Sequence, residues 1–234
     1  MTNKESQSFY LAIVGNDLHL NFFNSEELNS DHQKKYLMPD TLDDNLNLTV
    51  LTKFILEKIK DFEKDVGSFI EKVYLITDAK YNQFSLSLKN KYSSNKKNET
   101  DIVRLISDAK QLIMRNNKNY FILHILINKY TIDGKEYFEF PENLDYKELI
   151  LDVSFITINN STFKMLNRIL RDCNIEVKKI ISYQYSSRFA DKKDSSPCIA
   201  AKKVVDGINP LEVKIRNLKT KTQGLFEKIF NFFS

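Results

Sequence analysis

The hydrophobic pattern of this chain predicts an α/β fold, on three observations. Residues 9–23, FYLAIVGNDLHLNFF, are two apolar runs joined by Gly15-Asn16-Asp17, the pattern of a β-hairpin. Between Asn119 and Ile158, the runs NYFILHILINKYTI and LILDVSFITI flank a polar connection and read as two further strands. The period then changes, and Phe163, Met165, Leu166, Ile169 and Leu170 recur at helical spacing. Strands interleaved with helices of this length predict layers of sheet and helix.

Taken in order, residues 24–45 follow the hairpin as a polar stretch with Pro39 and read as a loop. Residues 46–66 place Leu48, Leu51, Phe54, Ile55, Ile59 and Phe62 on one helical face. A strand follows over 69–77, and another over 81–88, where Phe84, Leu86 and Leu88 alternate with polar residues. Residues 89–99 are a Lys/Asn/Ser loop, and 100–116 form an amphipathic helix with Thr100 and Asp101 at its start. In the central stretch Tyr120, Ile122, His124, Leu126 and Asn128 alternate with Phe121, Leu123, Ile125 and Ile127. Ile150, Asp152, Ser154 and Ile156 alternate with Leu151, Val153, Phe155 and Thr157. Asn160-Ser161 caps the next helix, Asn174 stops it, and a strand runs over 175–185. Residues 186–196 are a charged, Ser-rich loop, and 200–205 with 208–218 read as a helix folding back on the first part.

Composition excludes several function classes. The 35 basic and 31 acidic side chains leave a net charge of +4, too mild to indicate nucleic acid, which is not an expected partner. Lys89, Lys91, Lys96 and Lys97 with Tyr92 read as a solvated loop. Cys173 and Cys198 have no CxxC partner, so neither a disulfide framework nor a zinc site is expected, and a reducing cytoplasm is. His19, His32 and His124 stand at unrelated positions, which gives no metal or catalytic pattern. Asp43-Asp44 and Glu26-Glu27 are solvated pairs in polar loops. No stretch approaches the roughly 20 apolar residues of a transmembrane helix, and nothing near Met1 reads as a signal peptide.

The end of the chain has a different character. After Gly224, LFEKIFNFFS sets Leu225, Phe226, Ile229, Phe230, Phe232 and Phe233 in one helical stripe. Glu227, Lys228 and Asn231 face away, and Lys219 and Lys221 lie just upstream. Bulky apolar residues beside cations are the composition of a helix lying in an anionic membrane surface, with Lys219, Lys221 and Lys228 meeting headgroups. Partial insertion of these side chains supplies on the order of 5 kcal/mol, an affinity of about 0.1 to 1 mM, so attachment by one copy is reversible. The competing reading packs the same stripe onto the protein's own core.

Several ordered segments carry a family resemblance. Tyr130, Ile132, Asp133 and Gly134 follow a strand of the kind that ends in Pro-x-x-Tyr-x-Ile-Asp-Gly, with Asn128 in place of the proline. EKVYLIT, DIVRLISDAKQLIMRNN and the turn at Cys173-Asn174 stand in matching order around them. From about Leu42 to Ser187 the chain resembles FtsA, the actin-like family of bacterial cell division. The resemblance implies a partial actin-like, ribonuclease H-like first subdomain from residues 1–80 and 178–218. Into it would be inserted a strand-helix-strand-strand subdomain of the FtsA 1C type, 81–177, and 219–234 would be a linker and amphipathic membrane helix.

It further implies a membrane-tethered adaptor on the cytoplasmic side of the inner membrane, at the division site. Its partners would be divisome proteins, FtsN-like or FtsZ-like, with self-association through the 1C-like part. The family's nucleotide chemistry is not expected to carry over. The hairpin turn has Gly15 alone, with no following Thr or Ser, where a phosphate cradle needs several small residues. No second phosphate loop of the Asp-x-Gly-Gly-Gly type is present. The expectation is therefore a binding protein without catalytic residues, cofactor or metal. The alternative is a PilM-like or secretion-system actin-fold module that captures a short peptide of a membrane protein. A nucleotide-dependent enzyme is a weaker alternative because of the phosphate turns.

Overall fold

The computed structural model of the chain describes residues 7–24, 32–39, 48–91, 99–141, 145–191 and 196–213. In chain order the elements are β1 (Ser8–Val14), β2 (Asp17–Phe23), β3 (His32–Leu37), α1 (Leu48–Val66), β4 (Lys72–Thr77), β5 (Tyr81–Lys91) and α2 (Glu99–Asn116). There follow β6 (Tyr120–Ile132), β7 (Lys135–Tyr137), β8 (Glu148–Asn159), α3 (Asn160–Asp172), β9 (Glu176–Ser182), α4 (Tyr183–Ser186) and α5 (Pro197–Asp206).

The first sheet has the order β3-β2-β1-β4-β9. The pair β1–β2 and the pair β2–β3 are antiparallel, whereas β4 lies parallel to both β1 and β9. Only β2 therefore runs against the rest, which is the ribonuclease H-like course of an actin-like first subdomain. Alternation along β1 sends Phe9 and Leu11 to one face and Tyr10 and Ala12 to the other. Helices α1 and α3 cover the first face, burying Ile55, Ile59 and Phe62 with Leu166, Ile169 and Leu170. Helix α5 covers the second face with Cys198 and Ala201.

The second sheet, β5-β8-β6-β7, is antiparallel throughout. It follows the expected strand-helix-strand-strand course, and α2 closes it by burying Leu105, Ala109 and Ile113 against Ile125, Leu151, Val153 and Phe155. Register shifts lie between Ile122 and His124 and between Ile127 and Lys129. Each inserts one residue, so the side-chain parity of β6 changes twice. In consequence Leu123 is turned into the first core, while Ile125, Ile127, Tyr130 and Ile132 all serve the second.

The structure differs from the sequence reading in several places: residues 183–185, read as the end of a strand, belong to α4, and β7 lies in the connection between β6 and β8. Strand β3 lies within the stretch read as a loop; HQKKYL is mostly exposed, and its ladder to β2 rather than burial makes it a strand. Residues 160–172, grouped by sequence with the insertion, pack their apolar face into the first core as α3. Residues 208–213 form no helix: the chain leaves α5 through Gly207, at φ 93°, and becomes extended.

Candidate functional site

Strands β6 and β9 approach each other without pairing. Among the described strands β9 has β4 on one side and none on the other, and β6, beyond its pairing with β7 along Tyr130–Ile132 and with residues 211–213 at Ile125 and Ile127, is open over 120–124. Between the two open edges lies a groove of about 740 Å³. Leu123, Val177, Ile180 and Val204 line it, and Phe121, stacked on Phe163 at 3.7 Å between ring centroids, stands at its wall. Its cations are Lys110 and Lys118 from the α2 side and Lys178 and Lys179 from β9; its one carboxylate is Glu212. Lys178 lies at the register shift of β9, which brings Val177 and Ile180 to the same face. Its amine sits 5.3 Å from the centroid of the Tyr74 ring.

The groove closes where residues 211–213 lie on β6 as a short antiparallel strand. The Ile127 N–H donates to the Leu211 carbonyl and the Val213 N–H to that of Ile125, both at 2.9 Å. This places Glu212, 7% exposed, among groups from three other parts of the chain. Its Oε1 accepts from His124 Nδ1 at 2.8 Å and Lys179 Nζ at 2.9 Å, and its Oε2 from the Tyr185 hydroxyl at 2.9 Å. Asn209 Nδ2 donates to the same hydroxyl at 3.0 Å.

A backbone group fixes the tautomer of His124. The Ser182 N–H donates to its Nε2 at 3.1 Å, so that nitrogen carries a lone pair and the ring proton is on Nδ1. The imidazole is therefore neutral, and its burial holds its pKa below the ordinary value. Burial would raise the carboxyl of Glu212, but hydrogen bonding from His124 and the ammonium of Lys179 outweigh it and hold the group well below the usual carboxylate range. The pair thus joins a neutral ring to an anion paired with Lys179.

The hairpin turn is closed in another way. At the C-terminal end of β1, the Gly15 N–H donates to Asp78 Oδ2 at 2.6 Å. Gly15 is at φ +56°, the left-handed region that glycine tolerates. A phosphate bound at this turn would need that N–H and would meet the Asp78 carboxylate. The residues present do not fit a nucleotide phosphate.

The residues singled out from sequence fall in different places. Asp133 and Gly134, at φ 47° and 83°, make the two-residue turn between β6 and β7. The Asp133 carboxylate accepts from the backbone N–H groups of Lys147 and Glu148, and so ties the turn to the start of β8. Tyr130 and Ile132 are buried in the second core. These four residues shape the inserted sheet and line no part of the groove. Lys219, Lys221, Leu225, Phe226, Lys228, Ile229, Phe230, Phe232 and Phe233 lie outside the described residues. Sequence reading gave His124 no metal or catalytic role and had no signal for Glu212, Lys179 or Tyr185, which meet only through the fold.

No protein-family model matches the chain, and no curated protein matches it. Solved structures align with part of it. The PilM–PilN type IV pilus biogenesis complex is 9% identical with a TM-score of 0.45, covering 77% of this chain and 48% of the solved one. The cytoplasmic domain of EpsL, an inner membrane component of the type II secretion system of Vibrio cholerae, is 11% identical with a TM-score of 0.34, covering 80% and 59%. A Bacteroides thetaiotaomicron protein with an actin-like ATPase fold is 13% identical with a TM-score of 0.32, covering 81% and 60%. The chain spans between about half and three-fifths of the length of these structures. The fold class stands on the strand order and its single reversal: a mixed α/β protein with an actin-like first subdomain and an inserted antiparallel sheet.

Proposed function

We propose that this chain is a docking module without nucleotide chemistry, which takes an extended segment of a partner protein in the groove between β6 and β9. One observation carries the reading: an apolar groove between the open edge of β9 and the open start of β6, bordered by cations that the fold does not neutralise. Among the described residues Lys110, Lys118 and Lys178 have no carboxylate partner, and the one acid of the groove is already bound three times over. An added strand satisfies an open edge with main-chain hydrogen bonds while its alternate side chains enter the apolar floor. The cations select acidic residues in that strand. The closed turn at Gly15 supports a role in binding rather than catalysis.

Panning a display library of 12-residue peptides on the intact chain and on a Lys110→Glu/Lys178→Glu variant tests this. The wild-type chain enriches segments of alternating apolar and acidic residues, and the variant loses that enrichment or reverses its charge preference. Failure of the wild-type chain to enrich such segments, or equal enrichment by both, overturns the proposal.

The setting proposed is a membrane-bound pilus or secretion assembly, with the partner segment drawn from a membrane protein and this chain held peripherally on the inner face of the membrane. The lysine-flanked apolar stripe of residues 219–234 supports the membrane part. A second reading, the divisome adaptor, is favoured by the FtsA-like order of sequence segments around Tyr130–Gly134. The groove reading is preferred because those residues build a turn and a core, whereas the groove presents unpaired chemistry. Pull-down followed by identification of pilus or division proteins separates the two, and diffuse fluorescence of a fusion in dividing cells removes the second.

A further inference from the structure

The open edges of the two sheets are not alike. Native sheets keep edges from pairing by making them short, by placing lysines on them, or by bending them with bulges. Strand β7 has three residues, β3 carries Lys34 and Lys35 within its six, and β9 has a register shift beside Lys178 and Lys179. Strand β5 is neither short nor bent, and its lysines stand only at one end. It pairs with β8 over all eleven residues without a register shift, contains no proline, and has β8 as its one neighbour among the described strands. Its two lysines, Lys89 and Lys91, are drawn back to Glu148 on β8 at 2.7 and 3.8 Å.

The sequence of β5, YNQFSLSLKNK, is also nearly palindromic in chemical class about Leu86. On the half-buried face the order is Asn82, Phe84, Leu86, Leu88, Asn90, and on the exposed face Ser85 and Ser87 flank the centre. From this geometry we infer that β5 pairs antiparallel with β5 of a second copy, about a two-fold axis at Leu86. Leu86 then meets its own copy, Phe84 meets Leu88, Asn82 meets Asn90 and Ser85 meets Ser87. Gln83 stands opposite Lys89 and Tyr81 opposite Lys91, so no like charges face each other. Moving the axis to Leu88 sets Leu86 against Asn90, and moving it to Phe84 sets Leu86 against Asn82 and Leu88 against Lys80. Axes at Ser85 and Ser87 set Leu88 against Asn82 and Phe84 against Asn90, so the axis at Leu86 alone keeps every apolar residue of this face against another. The contact is isologous, as closed two-fold pairing requires, and joins two four-stranded sheets into one. It uses neither the groove nor the residues proposed to bind a partner.

Sedimentation velocity of the intact chain, with two charge variants, tests the pairing. Ser85→Lys/Ser87→Lys and Ser85→Glu/Ser87→Glu each place like charges directly opposite across the axis, on the exposed face. The wild-type chain sediments as a dimer at tens of micromolar, each variant associates at least tenfold more weakly, and an equimolar mixture of the two recovers a dimer. A wild-type monomer at 100 µM, a dimer that persists in both variants, or no recovery on mixing overturns the inference. Circular dichroism checks that the variants are folded. Should either be misfolded, a mixture of Ser85→Cys and Ser87→Cys chains under mild oxidation decides: more covalent dimer than either chain alone supports the pairing, and no excess overturns it.

Discussion

His124 and Glu212 are 88 positions apart and share a proton whose place is set by a third residue, Ser182. The sign of the pH dependence follows from the neutral ring. Its folded pKa lies below the ordinary value of 6.5, so the unfolded chain takes up a proton that the folded chain refuses. Stability from this group is complete above about pH 6.5 and is lost as pH falls below it, with a slope of up to about 1.4 kcal/mol per pH unit. Glu212, held below its ordinary 4.5, adds a second loss as pH falls through and below that value. Urea denaturation at pH 8, 6.5 and 5.5 measures the first loss, and His124→Gln is expected to be less stable at pH 8 but flatter across that range. Nothing local in the sequence announces this group. A histidine on an alternating apolar strand reads as a core residue, and its polarity is explained only by elements that the chain reaches much later.

At the scale of elements, periodicity was legible wherever burial enforces it and failed where hydrogen bonding alone decides. Alternation along β8 and the helical stripes of α1, α2 and α3 follow from one-sided burial, and all appear in the sequence. Strand β3 shows no stripe because an exposed edge strand has no buried face to keep apolar. The register shifts of β6 were equally hidden, since an inserted residue changes parity without changing composition. Phe155, fully buried in the middle of β8, tests how much the second core contributes. Phe155→Ala is expected to cost about 3 to 5 kcal/mol by chemical denaturation. Asp133→Ala removes two acceptors of backbone N–H groups at the turn into β7 and is expected to cost about 1 to 2 kcal/mol, with faster amide exchange at Lys147 and Glu148.

For the whole molecule, the order of strands and helices suggested the fold class, whereas the groove between β6 and β9 was invisible to it. A groove is a relation between edges, and no residue type marks an edge that a distant strand will face. The two cores meet through the Glu212 cluster and the contacts of Leu126, Ile156, Tyr185 and Val204. Glu212→Gln is expected to cost about 2 to 4 kcal/mol, because it leaves His124, Lys179 and Tyr185 poorly matched in a buried place, and to broaden the unfolding transition as the two sheets uncouple. The tail is tested separately by co-sedimentation with vesicles containing anionic phospholipid. The intact chain is expected to pellet with them and a chain ending at Gln223 to stay in the supernatant; equal pelleting removes the tether.

Tyr81 and Ile158 are paired neighbours, so the chain enters and leaves the inserted lobe through one doorway. Everything between them can lengthen, shrink or be replaced by a brief turn while the path from β4 through α3 to β9 keeps its span. The scaffold and its inserted lobe are in this sense separable, and a grafted lobe would bring its own half of the groove with it.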